Sequence, residues 1–127
     1  MVSEVSACAF TLVKNFLENK ARLGQLTCYA EISEATGLRA QGDYQKTYGI
    51  SPVLYQIKNW CEANGLPNLT SIVVRKSGPD VGLPGKGFWK AENLQNTDLQ
   101  TRRKLILKFH AEVFKAYQSS FNQVSLT

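Results

Sequence analysis

Three cysteines, one histidine and ten carboxylates are the side chains suited to nucleophilic, metal-binding or acid–base work. Cys8, Cys28 and Cys61 stand at wide, unrelated intervals that match neither a zinc-ligand pattern nor a CxxC redox pair. An odd, scattered set gives no disulfide framework either, so each reads as a small buried apolar residue in a reducing cytoplasm. His110 has only Phe109, Glu112 and Phe114 around it at helical spacing. Catalysis or metal binding asks for further ligating groups close by, so a structural or surface role is expected. The carboxylates show no paired spacing for general acid–base chemistry, and no serine sits in a nucleophile elbow. No catalytic residue, metal ligand or cofactor is expected, and the protein is read as non-enzymatic.

The glycine-rich run from Gly82 to Gly87 raises a phosphate-binding reading, because glycines let backbone N–H groups converge on an anion. A P-loop requires glycine five positions before its Gly-Lys pair and Ser or Thr after it. Here Asp80 and Gly87 occupy those positions around Gly85-Lys86. No helix is expected directly after the glycines, so a dinucleotide fingerprint fails as well. A tight hairpin is the expected role. It carries Lys86 and Lys90, with Arg75 and Lys76 on the strand that enters it.

The elements that position these residues follow from periodicity. The 127 residues, 43% hydrophobic and 20% charged, suit one globular domain. Apolar runs such as Ile72–Val74 fall far short of a membrane span, and no secretory leader is expected from the first residues. Residues 4–22 predict a first helix, with Ala9, Phe10, Val13, Phe16, Leu17 and Ala21 at helical spacing. A second helix is expected over Tyr29–Ala35, burying Tyr29, Ile32 and Ala35, with Gly37 just past its end. Ser51 as N-cap and Pro52 at the first helical position open a third, with Val53, Leu54, Ile57, Trp60 and Cys61 as its apolar stripe. Residues 37–50 are expected to form a loop containing Tyr44 and Tyr48. Leu69–Lys76, rich in β-branched residues, predicts a strand, and Phe88-Trp89 a short return strand. Asp98 or Thr97 caps a last helix to about residue 119, with Leu99, Ile106, Phe109, Val113 and Ala116 or Tyr117 inward. The expected fold class is α+β: a mainly helical single domain with a small β-hairpin, winged-helix-like. Its divisions are an N-terminal helix (1–25), a winged-helix-like core (26–90) and a C-terminal helix (91–127).

The stretch Leu26–Ser33, the helix at 52–64, and Leu66-Pro67 ahead of Ser71–Val74 resemble the C-terminal domain of alkylguanine-DNA alkyltransferases and alkyltransferase-like proteins. The resemblance spans residues 26–89. It implies a winged-helix architecture and nucleic-acid contact through the third helix. Alkyl transfer does not carry over, because Asn68, Leu69 and Thr70 follow Pro67 where the family has its nucleophilic cysteine, histidine and arginine.

Charge supplies the functional expectation. The net charge of +5 lies wholly in residues 71–127, which hold nine bases and four acids. Such asymmetry points to an anionic partner. Arg75, Lys76, Lys86 and Lys90 around the hairpin are expected to neutralise phosphates. Tyr55, Gln56, Lys58 and Asn59 on the third helix are the candidate groove readers. Arg102, Arg103 and Lys104 open the last helix, where they oppose its dipole and call for an offsetting contact. Lys108 and Lys115 extend that basic face. Trp60, Trp89 and Phe88 are expected in or beside the core. The partner is read as nucleic acid, DNA ahead of RNA, with an acidic protein as the alternative, and no membrane.

Overall fold

Ala9, Val13, Leu17 and Ala21 recur every fourth residue, and all four are buried along one side of helix α1 (Ala7–Arg22). The structure, a computed structural model, describes residues 7–38 and 49–126, with side chains as far as Gln118. The expected helix start at residue 4 and the loop tyrosines Tyr44 and Tyr48 lie outside the described residues. α1 ends on Lys20 and Arg22, cations that suit the negative end of the dipole. Gly24 then turns the chain at φ 71°, with Gln118 of the last helix packed over it.

Helix α2 (Tyr29–Thr36) has Cys28 as its N-cap and stops at Gly37, whose left-handed φ of 80° lets its N–H reach the Ser33 carbonyl at 2.8 Å. Ile32 is buried and Tyr29 half-buried, while Ala35 faces out. Helix α3 (Ile50–Ala63) starts earlier than the Ser51-Pro52 signal implies. Gly49 is the N-cap, and Pro52 falls at the third helical position. That position still precedes the first intrahelical N–H bond, so proline costs nothing there. Ile50, Val53, Ile57 and Cys61 form its buried stripe.

The expected strand at Leu69–Lys76 is instead a 3₁₀ helix over Leu69–Ile72, followed by extended Val73. Asn68 drives this by accepting from the Thr70 N–H at 3.0 Å and from Thr70 Oγ1 at 2.6 Å. All six residues from Leu69 to Val74 are buried, so the β-branched run reports burial, which strands and core segments share. An isolated parallel bridge joins Thr27 to Val73.

The expected return strand at Phe88-Trp89 is part of helix α4 (Lys86–Ala91). Trp89 fixes it there, donating from Nε1 to the Pro84 carbonyl at 3.2 Å while its ring is 1% exposed. The expected hairpin is therefore a turn. Arg75 N–H donates to Leu83 O and Gly82 N–H to Arg75 O, both at 2.9 Å, with Gly78 and Gly82 at positive φ. The α+β, winged-helix expectation is corrected: the fold is mainly helical, with five α-helices and no strand among the described residues.

Helix α5 (Leu99–Leu126) packs mainly against α1 and the 3₁₀ segment. Its Val113 and Tyr117 join the main cluster, packed with residues of α1, α2, α3 and the 3₁₀ segment. Its Ile106 joins Leu83 and Trp89 in a second, smaller cluster, with Phe88 and Phe109 edge-on to one another at 5.1 Å. His110 lies between them, 9% exposed, with Nε2 2.8 Å from the Ser71 carbonyl oxygen. A carbonyl only accepts, so Nε2 carries the proton. Burial holds the imidazole pKa below its ordinary value, partly opposed by that hydrogen bond. Leu99, expected inward, is exposed at the helix start. Of the cysteines, Cys28 and Cys61 are buried as expected, whereas Cys8 sits on the outer side of α1, next to buried Ala9.

Candidate nucleic-acid interface

The turn between Val74 and α4 is held from both sides by arginines. Arg75 pairs through Nε with Asp80 Oδ2 at 2.9 Å, both groups being partly exposed. Its guanidinium lies across Gly85, where a Cβ would approach Nη2 to 3.4 Å. From the far side Arg103 of α5 donates to the Pro79 carbonyl at 3.0 Å and the Val81 carbonyl at 3.1 Å. The carbonyls take hydrogen bonds but leave the positive charge unneutralised.

The cations opening α5 are arranged around its dipole. Asp98 caps the helix by accepting the Thr101 N–H at 2.7 Å, and the hydrogen bonds from Thr101 hold its carboxyl below the usual range. Arg102 folds back to Thr97 Oγ1 and the Gln95 carbonyl, both at 3.1 Å, and lies 5.1 Å over the Trp89 ring. Arg102 thus covers the second cluster and is half-buried. Lys104 stays exposed.

Lys86 and Lys90 are exposed one helical turn apart on α4. Lys76 is exposed beside Glu31, whose carboxyl is held down first by the Thr27 hydroxyl at 2.7 Å and then by Lys20 and Lys76. Among the described residues, none of Lys76, Lys86, Lys90, Arg103 and Lys104 forms an ion pair with a carboxylate. The structure therefore brings the start of α5 against the turn that carries the other basic residues.

The third-helix candidates divide. Tyr55 and Gln56 are exposed on the outer side of α3, and the Tyr29 hydroxyl lies 3.0 Å from Ser51 Oγ at the start of that helix. Lys58 and Asn59 are half-buried, and Lys58 pairs with Glu62 at 3.2 Å. Lys58 also lines a cleft of about 200 Å³ shared with Glu62, Glu92, Glu112 and the ring of Phe109. That surrounding is acidic, so Lys58 does not belong with the turn cations. Trp60 is half-buried, edge-on to Phe10 and covered by Lys14, whose Nζ lies 4.7 Å from its ring centroid.

Two features were missed in the sequence. Asp80, five residues after Arg75 across a Ser-Gly-Pro turn, is a readable pairing signal. The carboxylate-lined cleft draws on α3, the residue that follows α4, and α5, and has no local signal. Among the described residues no three His, Cys, Asp or Glu side chains are placed to hold a metal ion. No helix of these residues is long and apolar enough to cross a membrane. No protein-family model matches the chain, and neither does any curated protein or solved structure. Fold and site together define a mainly helical chain with a turn ringed by cations.

Proposed function

We propose that the protein binds nucleic acid, DNA ahead of RNA, through phosphate contacts from the cations around the 75–86 turn, and that it acts by binding without catalysis. The observation that carries this reading is the pair of hydrogen bonds from Arg103 to the Pro79 and Val81 carbonyls. They hold the start of α5 against the turn and so join two basic stretches separated in the chain. In this reading Lys76, Lys86, Lys90, Arg103 and Lys104 act as one binding region. Cations that form no ion pair, on a held scaffold, neutralise phosphates and release counterions, which gives affinity with little sequence discrimination. Tyr55 and Gln56 of α3 are the side chains left to read bases.

The test is titration of labelled duplex and single-stranded DNA and RNA at low salt. Saturable binding that weakens steeply with salt, and that Lys86→Ala with Lys90→Ala reduces on every sequence tried, is the expected result. No binding to any of these at low salt would remove the proposal.

A further inference from the structure

Seven large apolar side chains are exposed among the described residues, and three of them gather around Arg103. Leu107, 69% exposed, and Leu99, 43% exposed, lie one helical turn after and before it on α5. Val81, 44% exposed, sits at the tip of the turn whose carbonyls Arg103 holds. Lys104 and Lys108, also exposed, flank Leu107. Isolated exposed leucines are ordinary, but three together with a cationic border are not. Asp80 next to them is occupied by Arg75, and Asp98 by the start of α5.

We infer that this patch docks an acidic amphipathic helix of another protein, with that helix's apolar side on Leu99, Leu107 and Val81 and its carboxylates on Arg103, Lys104 and Lys108. Charge complementarity selects this occupant. A phosphate backbone would meet the cations but leave the leucines against charge. A second copy of the chain carries the same +5 and would be repelled. A bilayer surface calls for a broad apolar face, whereas Gln100, Thr101 and Lys104 interrupt this one. The interface would use apolar anchors within a charged rim, the arrangement by which grooves and faces take amphipathic helices. It shares Arg103 and Lys104 with the nucleic-acid reading and is told apart from it by its uncharged anchors, Leu99, Leu107 and Val81.

The experiment uses the full chain and a synthetic peptide of about 18 residues with leucines at i, i+3, i+4 and i+7 and glutamates between them. A scrambled peptide of equal composition is the control. Saturable binding of the patterned peptide alone is expected, with amide shifts confined to residues 79–81 and 99–108. Leu107→Ser, at an exposed site where folding is spared, is expected to weaken the peptide about tenfold while leaving duplex DNA affinity unchanged. Equal binding of the scrambled peptide, shifts elsewhere, no binding at all, or an unchanged affinity in Leu107→Ser would overturn the inference. So would an equal loss of duplex binding in that variant, binding to phosphatidylglycerol vesicles without peptide binding, or a Leu107-dependent dimer in sedimentation. Absence of duplex binding alongside normal peptide binding would sink only the nucleic-acid reading.

Discussion

Neutralising Asp80 offers a direct measure of the cation-ringed turn. Asp80 holds Arg75 at 2.9 Å, so Asp80→Asn frees a sixth cation beside Lys76, Lys86, Lys90, Arg103 and Lys104. If each free cation meets one phosphate, log affinity for duplex DNA falls with log salt at a slope of about −4.5 in the unsubstituted protein and about −5.4 in the variant. Between about 50 and 200 mM salt the first loses roughly 500-fold in affinity and the second roughly 1,800-fold. Fluorescence anisotropy of a labelled duplex over that range reads both slopes. Glu112→Gln, in the carboxylate-lined cleft, adds the same net charge away from the turn and is expected to leave the slope unchanged. A slope shallower than about −2 in the unsubstituted protein, or identical slopes in all three proteins, would refute the reasoning.

Other substitutions test the scaffold. Trp89→Ala empties the centre of the second cluster, where the ring is 1% exposed, and is expected to cost about 3–5 kcal/mol in denaturant unfolding. A loss below about 1 kcal/mol would mean that Leu83, Ile106 and Phe109 hold the region without it. Gly24→Ala places a side chain at φ 71° and is expected to cost about 1–2 kcal/mol. The Gln118 amide it would meet at 2.7 Å is the end of a flexible side chain, so adding Gln118→Ala should recover little. The only histidine sets a pH dependence. Burial lowers the folded pKa of His110, so on acidification the unfolded chain takes up the proton first. Stability is therefore complete above about pH 6.5 and declines as pH falls from there toward the folded pKa. Urea midpoints at several pH values should show this decline, and His110→Gln should flatten it. An equal decline in that variant would assign it to other groups.

The helical elements were legible to the extent that their signals are local. Gly37 marks the end of α2 at positive φ because only the backbone conformation there matters. The start of α3 was misplaced because Pro52 is tolerated throughout the first turn, so it does not fix which residue comes first. The strand expectation failed at Leu69–Val74 because β-branched residues favour any closely packed, buried segment. The deciding group was the Asn68 side chain, which turns the backbone into a 3₁₀ helix. Phe88-Trp89 is too short to show a period, and the indole's bond to the Pro84 carbonyl, five residues back, follows no helical or strand spacing. In the site, the basic residues were readable from composition, but their consequences were not. Arg102 is absorbed by Trp89 and Gln95, Lys58 by Glu62, and Arg75 by Asp80. His110 shares its helix face with Ile106, Val113 and Tyr117, and that spacing was the available signal of its burial.

Because α5 supplies a wall to both clusters, neither can close before its residues have left the ribosome. Until then a nascent chain holds Leu17, Val73 and Trp89 without their final cover. Emergence of Ile106 and then Val113 would seal the small cluster ahead of the large one, giving synthesis a fixed direction of closure.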